Sequence, residues 1–125
     1  MTLHLVLFTP RPDLPRDELK AFGDALEHAL ASIPSVRGYR VGRRFRTGAD
    51  YDALPGAFEY CGVIEFDDRA GLQEYLQHPA HQALGRLFYT TASSAFAGDF
   101  DAVSAAPAAA LGRWSAEDGQ RMGRV

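Results

Sequence analysis

Residues 75–81 have the sequence Tyr75-Leu76-Gln77-His78-Pro79-Ala80-His81. The proline must end one helix and can begin the next, because it has no backbone N–H and its fixed φ suits a first helical turn. The stretch also holds one tyrosine and two of the four histidines of the chain. Because histidine titrates near neutral pH, the pattern predicts either a small acid/base site or a capped junction between two helices.

Hydrophobic spacing predicts the elements around this junction. The order is β-α-β-β-α-α-β, the split pattern of an α+β, ferredoxin-like fold with a four-stranded antiparallel sheet. Asp13 is the expected N-cap of the first helix, and Asp67-Asp68 is the expected cap signal of the second. The predicted elements are a strand at 3–8, a helix at 13–32, strands at 36–45 and 58–66, a helix from 69 to the junction, a helix at 80–92 and a strand at 95–103.

The predicted sheet is apolar on both faces. Leu3, Leu5 and Leu7 alternate along the first strand with Val6 and Phe8. One layer of helices can cover only one face, so the other face needs a second cover. A second copy of the same sheet is the simplest source, and the pattern therefore predicts a homodimer.

Composition limits the classes of protein to consider. The 125 residues fit one domain, here 1–103. We expect 104–125 to be an Ala/Pro-rich tail that is partly disordered or docked on the domain through Trp114. A net charge of -3 argues against nucleic-acid binding, and no apolar run approaches the ~20 residues of a membrane helix. The N-terminus lacks secretory-signal features, and the single cysteine, Cys61, suits a reducing compartment. We therefore expect a cytoplasmic protein.

Three pieces of sequence together resemble the stress-responsive α/β-barrel family, also called Dabb domains. They are Leu3-His4-Leu5-Val6-Leu7-Phe8, the helix exit Ile33-Pro34-x-Val36, and Tyr75-x-x-His78-Pro79-x-His81. The resemblance covers about residues 2 to 102. It implies a ferredoxin-like fold that dimerises into an α/β barrel, and a family in which most members have no assigned reaction.

One branch of that family consists of plant polyketide cyclases, and it implies a site. Carried onto this chain, the base is His81, Tyr75 assists it, and His4 belongs to the same pocket. Tyr60 stands where the branch has a further pocket histidine. The implied ligand is a small apolar or aromatic carbonyl compound, and an imidazole with a phenol can supply the acid/base roles without a cofactor. The residues expected to bind the ligand are Phe8, Phe22, Leu26, Tyr60, Ile64, His78 and Leu84.

Other functions stay open at this point. The same residues could merely hold a helix junction in a non-enzymatic structural or stress-response dimer. Cofactor-free monooxygenation is a third possibility, because other dimeric ferredoxin-like barrels perform it. His78 and His81 supply at most two metal ligands, to which Asp67 or Glu74 could be recruited, and no third ligand stands at diagnostic spacing. We therefore predict no metal site.

Overall fold

The computed structural model describes residues 1–103 and 107–112. Within these residues, four strands and three helices follow one another in the predicted order, with a short 3-10 turn at Asp50–Ala53 in the loop after the second strand. A fourth, short helix, which was not predicted, follows the last strand. The strands and helices, in chain order, are β1 (Thr2–Pro10), α1 (Arg16–Ser32), β2 (Gly38–Arg43), β3 (Tyr60–Phe66), α2 (Arg69–Gln77), α3 (Pro79–Thr91), β4 (Ala92–Asp101) and a short α4 (Pro107–Leu111).

The strands form one antiparallel sheet in the order β2-β3-β1-β4. β1 lies at the centre, where His4 is opposite Ile64 of β3 on one side and Asp99 of β4 on the other. This topology confirms the predicted α+β, ferredoxin-like fold.

The start of α1 differs from the prediction. The helix begins at Arg16 with Pro15 as its N-cap, in an extended conformation and without a side-chain hydrogen bond. The prediction of Asp13 as the cap was wrong, because the residue before a proline is disfavoured in helical conformation and Leu14 therefore cannot extend the helix backwards. The second helix does begin as expected, since Asp68 accepts a hydrogen bond from the backbone N–H of Gly71 at 2.9 Å.

The helices cover one face of the sheet. Even-numbered residues of β1 and β3 point towards them, so that Phe8, Ile64 and Phe66 are buried beneath α1, α2 and α3. Phe66, Tyr75 and Ile33 are the most completely enclosed large side chains among the described residues. The core therefore lies between this sheet face and the three longer helices.

Within the described residues, no layer of helices covers the opposite face. Leu3, Leu5 and Leu7 point away from the core and remain half-buried. Phe96 and Phe100 of β4 share this face, where they stay 44% and 46% exposed. We call this the open face. Its apolar character matches the expectation from the sequence.

The division into a domain at 1–103 and a tail at 104–125 remains a prediction. α4 lies within that tail, and its Ala110 is buried. Trp114 and the predicted docking of its side chain lie outside the described residues. Within the described residues, none of the helices combines the length and the hydropathy needed to cross a membrane.

Candidate functional site

His78 joins the two helices of the junction. It is the C-cap of α2 and the N-cap of α3, and Pro79 occupies the first helical position after it. The backbone N–H of Ala80 donates to its Nδ1 at 3.0 Å. Nδ1 must therefore be unprotonated, and the ring acts as an N-terminal cap in the manner of an asparagine side chain.

His81 lies one turn into α3 and is half-buried. Its Nδ1 is 3.2 Å from the carbonyl oxygen of Leu76, which can only accept, so Nδ1 carries the proton. Burial lowers the pKa of His81 below its usual 6.5, and the nearby His4 lowers it further, whereas the hydrogen bond to Leu76 acts in the opposite direction. The imidazole is thus neutral near pH 7, with the lone pair of Nε2 available.

Tyr75 is 1% exposed and packs between the two histidine rings. Its ring centroid is 4.6 Å from that of His81 and 5.8 Å from that of His4. Burial raises its pKa to about 12, so the phenol keeps its proton at physiological pH. Among the described residues its hydroxyl has no hydrogen-bonding partner, which leaves the O–H free to donate to a ligand.

His4 is held by a carboxylate from the edge of the sheet. Its Nδ1 lies 2.6 Å from Oδ1 of Asp99 on β4. A carboxylate can only accept, so Nδ1 of His4 carries a proton, and Nε2 is the ring nitrogen left to contact a ligand. The His4 ring is buried, while the Asp99 side chain is 45% exposed.

These three rings line one cavity of about 290 Å³ between the sheet and the helices. The volume lies at the lower end of the range of small-molecule sites. The rest of the lining is mainly apolar, and Phe8, Phe22 and Phe88 form a cluster of mutually contacting rings with centroids 5.4–5.9 Å apart. The cavity thus combines a polar end, made by His4, Tyr75 and His81, with an aromatic end.

Most residues expected at the site do meet there. The lining includes the three expected catalytic residues and five of the expected ligand-binding residues, which are Phe8, Phe22, Leu26, Ile64 and Leu84. Tyr60 and His78 do not line this cavity. Tyr60 stacks on Phe8 at 5.4 Å and borders a second, more open depression, and His78 is engaged in capping. The roles of all these residues remain predictions.

The model of the stress responsive A/B barrel domain, Dabb, matches residues 3–102. The chain belongs to the Dabb family. Comparison of the sequence with curated proteins gives no significant match.

Solved structures share the Dabb fold. A dimeric ferredoxin-like protein of unknown function from Thermobifida fusca is 24% identical, with a TM-score of 0.63 over 81% of this chain and 90% of its own. A Dabb family protein from Mesorhizobium loti is 22% identical, with a TM-score of 0.64 over 82% and 97%. A hydroxynitrile lyase from Passiflora edulis is 11% identical, with a TM-score of 0.73 over 85% and 96%. At these identities the likeness concerns the fold alone.

Sequence reasoning missed Asp99 in this Dabb chain. The available signal was weak: Asp99 and Asp101 alternate with Phe100 near the end of an apolar strand, which places both carboxylates on the helix-facing side. That Asp99 reaches His4 depends on the register of β4 against β1. Phe88 was also missed, although its spacing from Leu84 on α3 is that of one helical face.

Metal ligands are not grouped in this site. Within residues 1–103 and 107–112, no three His, Cys, Asp or Glu side chains are arranged to hold a metal ion. Nδ1 of both junction histidines is engaged with backbone groups, those of Ala80 and Leu76. The polar side chains of the described site are its imidazoles, its phenol and the carboxylate of Asp99.

Proposed function

We propose that the protein binds a small apolar or aromatic carbonyl compound in this cavity and moves protons to and from it. The observation that carries the proposal is that His81 and Tyr75 both line a largely apolar cavity, with Nδ1 of His81 bonded to Leu76 and the Tyr75 hydroxyl without a partner among the described residues. Apolar walls favour an uncharged ring or chain, and a few converging polar groups set its orientation.

In this proposal His81 is the general base. Its Nε2 removes a proton from the carbon next to the carbonyl group, and the electron pair moves onto the carbonyl oxygen to form an enolate. Tyr75 donates a hydrogen bond to that oxygen as its negative charge develops, which stabilises the transition state more than the ground state. Because burial disfavours a lone imidazolium at His81, the charged ring is formed only next to the enolate that balances it.

His4 completes the polar end. With its Nδ1 proton directed to Asp99, it presents Nε2 beside the Tyr75 ring. In this proposal Nε2 forms a hydrogen bond with a hydroxyl group of the ligand, and thereby orients the carbonyl towards Tyr75. The enolate can then be reprotonated, or it can attack a second carbonyl of the same molecule and close a ring, as in a polyketide-like substrate.

The fold comparison supports an enzymatic function in general terms. The Passiflora edulis protein of the same fold is a hydroxynitrile lyase, so this fold can carry an active site. At 11% identity, neither the substrate of that protein nor the roles of its residues are transferred to this chain.

The experiment that tests the proposal is proton exchange. Wild-type protein in D₂O should accelerate deuterium incorporation at the methyl group of acetophenone. Proton NMR measures the rate from the loss of the methyl signal. His81→Gln and Tyr75→Phe should each reduce that rate by about 10²–10⁴-fold, the usual contribution of a positioned acid or base. His28→Gln, on the exposed side of α1, should leave it unchanged. Exchange no faster than with free imidazole would rule out the assignment for this class of ketone.

A non-enzymatic role is the second candidate. It is favoured by the capping contact of His78 and by the bond of His81 to Leu76, since both hold the helix junction without any ligand. In that case the histidine variants would alter stability and leave ligand binding and exchange unaffected. A cofactor-free monooxygenase is a prediction without a specific structural observation behind it.

We also propose that the protein is a homodimer through the open face. The apolar residues Leu3, Leu5 and Leu7 cover the middle of that face, and the similar Thermobifida fusca protein is described as dimeric. Leu5→Glu should convert a dimer into monomers in sedimentation experiments, because a charge would be buried without a partner. Ala21→Glu, on the exposed side of α1, is the control. A wild-type monomer would end this proposal.

A cytoplasmic location is proposed from Cys61. It is half-buried and is the only cysteine of the chain, so no disulfide within one chain is available to stabilise the fold in an oxidising compartment. Cell fractionation would test it, and recovery of the protein outside the cytoplasm would contradict it.

A further inference from the structure

The floor of the cavity is one row of small residues that crosses the sheet. In the strand register, Gly62 of β3 lies between Val41 of β2 and Val6 of β1, and Ala97 of β4 follows Val6. All four line the cavity. The neighbouring rows carry larger side chains, with Ile64 beside His4 and Tyr60 beside Phe8. The cavity therefore lies above the row in which the sheet presents least side-chain volume.

Gly62 is the member of that row with no side chain. It has the same parity as Ile64, so a Cβ at this position would point towards the helices, and no atom lies within 4 Å of where it would stand. It occupies the middle of β3, with a hydrogen-bonded strand on each side. Glycine destabilises the interior of a strand, where β-branched residues are preferred. Local strand stability therefore does not explain why residue 62 is a glycine.

Gly85 faces the same space from above. It lies inside α3 and lines the cavity, and a Cβ there would also meet no atom within 4 Å. Glycine is unfavourable inside a helix relative to alanine, because it loses more conformational freedom on folding. No close packing against another element requires it, since the space beside it is empty.

We propose that Gly62 and Gly85 set the upper size limit of the ligand, as paired specificity-determining positions above and below the cavity. Both are unfavourable in their elements, and both stand where a side chain would occupy the cavity. The space they leave suits a flat apolar ring system over the Val6 row, with its polar group towards Tyr75 and His81. The identity of that polar group rests on the function proposed above, whereas the size limit does not.

The chain contains a matched control. Gly23 lies inside α1, and a Cβ there would likewise meet no atom within 4 Å, but it is exposed and does not line the cavity. Gly85→Ala and Gly23→Ala should both raise the Tm, by roughly 2–6 °C, since each removes the entropic cost of a helical glycine. A lower Tm for Gly85→Ala would show that glycine serves packing there and would overturn the proposal.

Binding of two inert rings tests the size limit directly. Benzene and naphthalene are titrated into wild-type protein, Gly85→Leu, Gly62→Val and Gly23→Ala, with Kd from NMR chemical-shift changes. Wild type and Gly23→Ala should bind both hydrocarbons. Gly85→Leu and Gly62→Val should each weaken naphthalene about tenfold or more relative to benzene, because overfilling a packed site is costly. Two positions are used so that the result does not depend on one variant.

The outcomes separate the two proposals. If the wild type binds neither hydrocarbon, or if the larger side chains change neither Kd, the size limit is overturned. If the hydrocarbons behave as expected but acetophenone binds no more tightly than benzene and shows no catalysed exchange, the size limit stands and the proposed carbonyl chemistry fails.

Discussion

Nδ1 of His4 lies 2.6 Å from Oδ1 of Asp99, although 95 residues separate them in the sequence. The contact joins the central strand β1 to the edge strand β4 on the face that bears the cavity. It determines which nitrogen of His4 is available to a ligand, and so it belongs to the site as much as the three rings do.

Asp99→Asn should weaken this contact while keeping its shape. We expect a loss of about 1–2 kcal/mol in the free energy of unfolding, because a charge-assisted hydrogen bond becomes a neutral one and Asp99 is partly screened by solvent. Chemical denaturation measures the loss, and nitrogen-15 NMR of the imidazole reports whether His4 keeps its proton on Nδ1. Asp24→Asn, in the exposed Lys20–Asp24 pair, should change stability much less. An unchanged stability and tautomer in Asp99→Asn would contradict the positioning role.

His81 should make stability depend on pH. Burial lowers its folded pKa below 6.5, so the unfolded chain binds the proton more readily than the folded protein does. The stabilising contribution of the neutral ring is therefore complete above pH 6.5 and is lost as the pH falls towards the folded pKa. His81→Gln should show a smaller loss of unfolding free energy between about pH 7.5 and about pH 5.5 than the wild type. Equal losses in both proteins would refute the lowered pKa.

Two substitutions of Tyr75 distinguish the contribution of its ring to packing from the role of its hydroxyl. Tyr75→Ala should cost roughly 3–5 kcal/mol, because it leaves a void in the core, whereas Tyr75→Phe should change stability by less than about 1 kcal/mol, since the hydroxyl has no partner among the described residues. Both are measured by denaturant unfolding. If Tyr75→Phe proves as destabilising as Tyr75→Ala, the hydroxyl has a structural role and is not free for a ligand.

The raised pKa of Tyr75 predicts a second pH effect. The unfolded phenol ionises at 10.0 and the folded one at about 12, so this stabilising contribution is complete below pH 10.0 and is lost as the pH rises through about 12. Ultraviolet absorbance should show one tyrosine of five ionising well after the others, and Tyr75→Phe should lose that late step. A wild-type titration in which all five ionise together would contradict the burial argument.

His78 is expected to act on the helix and not on the ligand. His78→Ala should cost about 0.5–2 kcal/mol through loss of the cap of α3, and His78→Asn should retain most of the stability because an amide oxygen can accept from Ala80. Thermal unfolding compares the two variants. The Kd for benzene should stay at its wild-type value in His78→Asn, and a large change would place His78 in the binding site.

Much of the fold was predictable because its signals are local. Alternation along β1 separates Leu5 from Val6, and Pro79 divides α2 from α3 within a few residues. Asp68 caps α2 through the backbone N–H of Gly71, three residues away. The ends of elements were harder to predict. α1 was expected to begin at Asp13 but begins at Arg16, because Leu14 precedes a proline and is disfavoured in helical conformation.

The site was only partly predictable, because only some of its contacts are local in sequence. The spacing of Tyr75 and His81 is set within one helix junction, so their contact at 4.6 Å follows from local structure. The partner of His4 does not, since any of several polar residues on β4 could face it until the strand register is known.

The sequence by itself determined which residues alternate, where helices must break, and that both sheet faces are apolar, because these properties depend on backbone geometry over a few residues. Tertiary structure decided the rest: the pairing of His4 with Asp99, the stacking of Tyr60 on Phe8, and the presence of Gly62 and Gly85 in the lining of one cavity. Each depends on how distant segments are set against one another, and that is settled by packing of the whole core.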